Sequence, residues 1–108
     1  MQRKNTVNQS NLRAYPLDHR LTQEPSSVLA DLRPIFRDLL DELQAMDASA
    51  SRAQVLNAFR TAILRVNDHA NDIETIEREA ILGIVYEIGV LAGLPADGQF
   101  AEEWRGDW

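Results

Sequence analysis

From Ala80 to Leu94 the chain carries one charged residue, Glu87, and every other position is apolar or glycine. Wound into a helix, this run has no polar face, so any fold that contains it must cover it on most sides. Its Ile and Val content also permits a strand, yet it is too long for a typical strand and its flanks are helical; we read it as a buried helix. Asn71 and Glu74 stand upstream at the spacing of a capping box, and Glu74, Glu77 and Glu79 lie where a helix start favours negative charge. The apolar positions of this helix include Ile73, Ile76, Ala80, Ile84, Ile88 and Leu91. Gly93, Leu94 and Pro95 form a stop signal, with glycine at the left-handed C-cap position and proline just beyond. Gly89 and Gly93 also match the small-xxx-small spacing of membrane helices. Gly93 is accounted for as a cap, however, and Glu87 interrupts the run, so close packing in water is the better reading.

Two further helices precede this one. Val28, Leu32, Ile35, Phe36, Leu39, Leu40, Leu43 and Met46 recur at the i, i+3, i+4, i+7 spacing of a single helical face. Pro34 lies off that face, so the helix either kinks there or starts near Asp31 with Pro34 in its first turn. Ser26 or Ser27 would cap the longer version and Asp31 the shorter. After Asp47, Ser49 and Ser51, which compete as N-caps, a second stripe runs through Val55, Leu56, Phe59, Ala62, Ile63 and Val66 and is expected to end around Ala70. Phe100, Trp104 and Trp108 are spaced four apart in the tail, where a fourth short helix would line them along one side. Short loops between the long helices favour antiparallel neighbours. The expected fold is therefore all-α: an antiparallel three-helix bundle with a short C-terminal helical segment and an extended N-terminal arm.

The arm comes from charge and composition. At 108 residues the chain matches one compact domain. Residues 1–26 hold four basic residues (Arg3, Lys4, Arg13, Arg20) and two acidic ones (Asp18, Glu24), a charge of +2. Residues 27–108 hold seven basic and 15 acidic residues, a charge of -8. We accordingly divide the sequence into a polar, mildly basic arm over 1–26 and an acidic helical domain over 27–108. The arm is rich in Asn, Gln and Ser and poor in apolar residues, so it is expected to be extended unless Tyr15, Leu17 and Leu21 pin it to the body as a strap. Its scattered apolar residues do not make a signal peptide or a membrane span. The absence of cysteine removes disulfides, thiolate nucleophiles and sulfur-based zinc sites, and a cytoplasmic setting is expected.

Candidates for chemistry are few. His69 lies between Asp68 and Asp72, but this cluster lacks a third strong ligand at a tested spacing, and a histidine near a helix end has a structural role in meeting the terminal carbonyls. The sequence holds no phosphate-binding glycine loop, nucleophile elbow or dinucleotide fingerprint. No catalytic residue, metal or cofactor is expected. Arg105, Gly106 and Asp107 spell a short integrin-type tripeptide, too common a match to carry weight. Two groups are candidates for partner binding. One is the acidic cluster at the turn between the second and third helices, Asp68, Asp72, Glu74 and Glu77 with Glu79 beside them, suited to a basic partner. The other is Trp104, Arg105 and Trp108, the residue types that dominate interface hot spots, with Trp108 the more exposed candidate.

The stretch Ile73-Glu74-Thr75-Ile76-Glu77-Arg78-Glu79, continuing through Gly93-Leu94 to Glu102-Glu103-Trp104-Arg105-Gly106-Asp107-Trp108, resembles the C-terminal halves of small acidic all-α bacterial immunity or antidote proteins. The resemblance implies a binding protein that neutralises a basic toxin or effector. A helical adaptor that self-associates is the alternative. Recognition of DNA through the arm is disfavoured, because four cations on a body of charge -8 leave little net attraction for phosphates.

Overall fold

The computed structural model describes residues 7–96 and 98–108, and these are all-helical, with no strand among them. Six α-helices follow in order: α1 (Gln9–Arg13), α2 (Leu17–Leu21), α3 (Ser27–Asp31), α4 (Arg33–Gln44), α5 (Arg52–Asn67) and α6 (Thr75–Leu91). Two 3-10 turns, Ala70–Asp72 and Phe100–Glu103, complete the set.

The first stripe folds as two helices, which reconciles both readings of Pro34. Ser26 caps α3, its Oγ accepting from the Leu29 N–H at 3.3 Å. The axis breaks at Leu32, and Pro34 occupies the first turn of α4, where its missing N–H leaves no bond unmade. The apolar face continues across the break: Val28, Leu32, Ile35, Phe36, Leu39, Leu40 and Leu43 are all buried. Ser51 wins the competition to cap α5, in a capping box with Gln54 (Ser51 N to Gln54 Oε1 2.9 Å, Gln54 N to Ser51 Oγ 3.1 Å).

The start of α6 differs from expectation. Helix α5 stops at Asn67, three residues before Ala70, and the 3-10 turn and the buried Ile73 reverse the chain. The reversal moves the cap from Asn71 to Glu74, whose N–H donates to Glu77 Oε1 at 3.2 Å. The stop signal forms as read. Gly93 has φ of 91°, the Leu94 N–H reaches Gly89 O at 2.9 Å, and the Gly93 N–H reaches Val90 O at 3.0 Å, the paired bonds of a Schellman motif.

The arm is not extended. Over residues 9–21 it forms α1 and α2, each of which packs against both α4 and α6. Five-residue helices do not hold by themselves. These are held by burial: Val7, Leu12, Leu17 and Leu21 are each less than 5% exposed. At about 1.5–3 kcal/mol for each large apolar side chain, four such residues offset much of the ordering entropy that the arm's average composition suggested it could not meet. The arm also serves helix ends that lack partners. The Val7 N–H reaches Ala48 O at 3.0 Å, the Asn8 N–H reaches Leu91 O at 2.8 Å, and the Gln9 side chain donates to the carbonyls of Gln44 and Met46 at and just beyond the end of α4.

Glu87, the lone charge of the apolar run, is the anchor for this arm. Arg20 forks onto it (Nε to Oε1 2.9 Å, Nη2 to Oε2 2.9 Å), and the Tyr15 hydroxyl donates to Oε1 at 2.5 Å. Gly83 makes room: a β-carbon there would stand 3.1 Å from Arg20 Nη2. Gly89 does the same for the tail, since a β-carbon there would stand 3.0 Å from the Phe100 ring. A second, exposed ion pair joins Asp18 to Arg33 at 2.6 Å, and the hydrogen bond from Arg33 holds the Asp18 carboxyl below its ordinary range.

Two outcomes follow from the docked arm. Leu17→Ala should destabilise the whole domain by about 2–5 kcal/mol in a single urea transition; a loss confined to the arm's own helicity would show that the arm folds apart from the core. Burial, then the bond to Glu87, raises the Tyr15 pKa well above its ordinary 10.0, and burial, then Glu102, raises that of Tyr86. The neutral phenols therefore support folding fully below pH 10, and this support is lost as the pH rises towards the folded-state values. At pH 10 the folded chain should show far less tyrosinate absorbance than the chain in urea; equal absorbance would mean that Tyr15 is undocked.

Candidate functional site

The acidic residues at the start of α6 are built into a groove whose second wall comes from elsewhere in the chain. Ser26, in the loop between α2 and α3, uses its Oγ twice: it accepts from Leu29 N and donates to Glu77 Oε2 at 3.1 Å. That bond ties the loop to the first turn of α6. An open groove of about 650 Å³ results, lined by Glu24, Pro25 and Ser26 on one side and by Glu74, Thr75, Ile76, Glu77 and Arg78 on the other. A concavity of about 400 Å³ adjoins it, sharing Pro25, Ser26 and Glu77 and adding Asp31 and Asp72. Five carboxylates, Glu24, Asp31, Asp72, Glu74 and Glu77, thus line two adjoining concavities, whose lining holds one cation, Arg78.

Helix-start electrostatics account for Glu74 and Glu77, which lie where the α6 dipole is positive. Glu24 and Asp31 lie outside that helix and owe nothing to its dipole. Glu77 is committed structurally, one oxygen to Ser26 and the other to the Glu74 N–H. Glu24, Asp31, Asp72 and Glu74 are exposed, and so is Ile76, at 59%. Ile76 was expected on the buried stripe of the helix. In the first turn of α6 that stripe reaches past the core and opens into the groove, which sets an aliphatic side chain among carboxylates.

Of the residues singled out from sequence, Asp72, Glu74 and Glu77 come together here. Asp68 does not: it is the C-cap of α5 and lines neither concavity. Sequence reasoning missed Glu24 and Asp31. Glu24 was counted as a charge and Asp31 was weighed as a helix cap, a position that Leu32 takes instead, but nothing along the chain announced that a serine hydrogen bond would bring this stretch against α6. Among the described residues no group of three or more His, Asp and Glu is arranged to hold a metal ion, His69 and its neighbours included.

Trp104, Arg105 and Trp108 form a separate, inward-directed unit organised by Asn67, the last residue of α5. The Asn67 Nδ2 donates to Trp104 O at 2.9 Å, and its Oδ1 accepts from the Gly106 N–H at 2.8 Å and the Trp108 indole N–H at 2.7 Å. Trp108 is 6% exposed, which corrects its expected role as an exposed interface residue. The reason is a single bond: the indole N–H finds a half-buried acceptor in Asn67, so the ring can leave water without an unmade bond. Arg105 forks onto Glu102 (2.7 and 3.0 Å), donates to Trp108 O, and stacks 5.4 Å from the Trp108 ring centroid. The tripeptide Arg105-Gly106-Asp107 is thereby folded against the body, with its arginine and glycine already engaged. Phe100 packs edge-on to Phe59 and Tyr86, at 4.9 and 5.1 Å, and lies 6.4 Å from Trp104. Trp108 leaves that aromatic group for Asn67, so the three aromatics do not share one side.

No family model, curated protein or solved structure matches this chain.

Asn67→Ala should remove three hydrogen bonds at once, at a cost of about 2 kcal/mol, and release the Trp108 indole to water. Tryptophan emission of the native variant should shift to the red; unchanged emission would show that Asn67 does not hold the tail.

Proposed function

We propose that this chain is a protein-binding module that neutralises a basic partner through the groove between the α2–α3 loop and the start of α6. The observation that carries this reading is the convergence of Glu24, Asp31, Asp72, Glu74 and Glu77, drawn from three separate stretches of chain, on two adjoining concavities beside the exposed Ile76. Clustered carboxylates repel one another and weaken a fold unless a cation meets them. A lysine- or arginine-rich surface would relieve that repulsion, while Ile76 offers an apolar contact at the centre of the charged rim.

The concrete form we favour is an immunity-type inhibitor of a basic toxin or effector, acting in the cytoplasm. Blocking a toxin needs a complementary surface and no catalytic group, and an acidic groove can take the place of nucleic-acid phosphates on a basic nuclease. In this reading α4, α5 and α6 serve as an antiparallel three-helix scaffold, and the Ser26 to Glu77 bond keeps the two walls of the groove in register.

An immunity protein is normally encoded beside its toxin, so the test uses the product of the neighbouring gene as binding partner. The triple variant Glu24→Lys, Asp31→Lys and Asp72→Lys changes exposed side chains and spares the bonds of Glu77. Its helicity should match the parent, and its affinity should fall at least about tenfold at low salt, with the gap narrowing as salt is raised. Unchanged affinity, or no binding by the parent chain, overturns the proposal.

A further inference from the structure

The tertiary partners of residues 7–21 all lie in the rest of the chain. Val7, Asn8 and Gln9 bond to Ala48, Leu91, Gln44 and Met46; Tyr15 and Arg20 bond to Glu87; Asp18 pairs with Arg33. Leu12, Leu17 and Leu21 enter the core, and α1 and α2 each touch both α4 and α6. The arm is thus a peptide-like insert lying in a seam between two long helices, the arrangement by which helical segments bind grooves. One stretch joins it to the body, Thr22-Gln23-Glu24-Pro25, and all four residues are exposed.

We propose that the arm is exchangeable, and that the seam between α4 and α6 takes the arm of a second copy of this chain. The product is a reciprocal dimer in which Thr22–Pro25 is the hinge. A second copy is the occupant the chemistry selects, because the seam is fitted to this arm in detail. Glu87 receives a forked arginine and a tyrosine hydroxyl together, Gly83 clears space for that arginine, and the carbonyls at the end of α4 receive a glutamine amide. Exchange between two copies reproduces each of these bonds, so it needs no new complementary surface and is opposed chiefly by the entropy of association. The charge pairing is preserved as well, since an arm of charge +2 lies on a body of charge -8 in either form. Proline in a short hinge favours the extended connection that exchange requires.

The test uses complementary charge reversals in full-length chains. Arg20→Glu alone and Glu87→Arg alone each set like charges face to face when the arm docks on its own body. Mixed, unfolded together and refolded, the two chains regain opposite charges at both sites only by exchanging arms. Native mass spectrometry should then show a heterodimer about tenfold above either homodimer, a ratio equivalent to about 1.4 kcal/mol. The double variant in one chain should match the parent in helicity and oligomeric state. A mixture that stays monomeric, or stays unfolded while the double variant folds, overturns the proposal. A second variant is independent of charge: deletion of Gln23 and Glu24 shortens the hinge and should give a helical dimer by sedimentation, whereas a helical monomer or an unfolded chain counts against exchange.

Discussion

Helix α6 must be kept from water on nearly every side, and the other elements are placed to do so. Between positions 80 and 94 only Glu87, Val90 and Gly93 are exposed. The arm and α3 cover one flank of the helix, and the tail closes on another through Phe100. The glycines inside α6 set how closely those covers approach. Gly83 admits the guanidinium of Arg20 and Gly89 admits the ring of Phe100, so the two positions least favourable to a helix are the ones where other segments cross it. Glu87 then turns the single polar position of the run into the attachment point for the arm.

Covering an apolar helix leaves polar groups to be satisfied, and the two ends of the chain do much of this. The arm supplies N–H donors to carbonyls at and beyond the C-terminal ends of α4 and α6, through Val7, Asn8 and Gln9. The tail returns to Asn67, whose amide bonds three tail groups at the end of α5. The arm looks dispensable by composition, and the tail looks like an exposed interface. Each is held by a few well-placed bonds that let apolar side chains, Leu12 and Leu17 in one and Trp108 in the other, leave water without stranding a donor.

The acidic groove is a consequence of the same packing. Once the arm docks, the loop that follows it must return to the start of α3 beside the start of α6, and Ser26 joins the two. Asp72, Glu74 and Glu77 were visible as a cluster because they are close in sequence. Glu24 and Asp31 were not, because their nearness depends on a contact across 51 residues. Trp108 was misjudged for a similar reason: its acceptor, Asn67, lies 41 residues away, and a polar residue in the last turn of a helix carries no mark of such a role.

Local sequence pattern determined that the chain is helical and, to within a turn, where α4, α5 and α6 run, while proline and glycine chemistry determined that Pro34 opens a helix or breaks one and that Gly93 ends α6. Those features depend on neighbours within a turn or two, and the spacing of apolar residues records them directly. Only the tertiary structure decided that residues 9–21 fold into two helices against the core, that the cap of α6 is Glu74, that Trp108 is buried and that five carboxylates line adjoining concavities. Each of these rests on a bond or a burial between distant segments, whose free energy is absent from any local window of sequence and appears only when the segments meet.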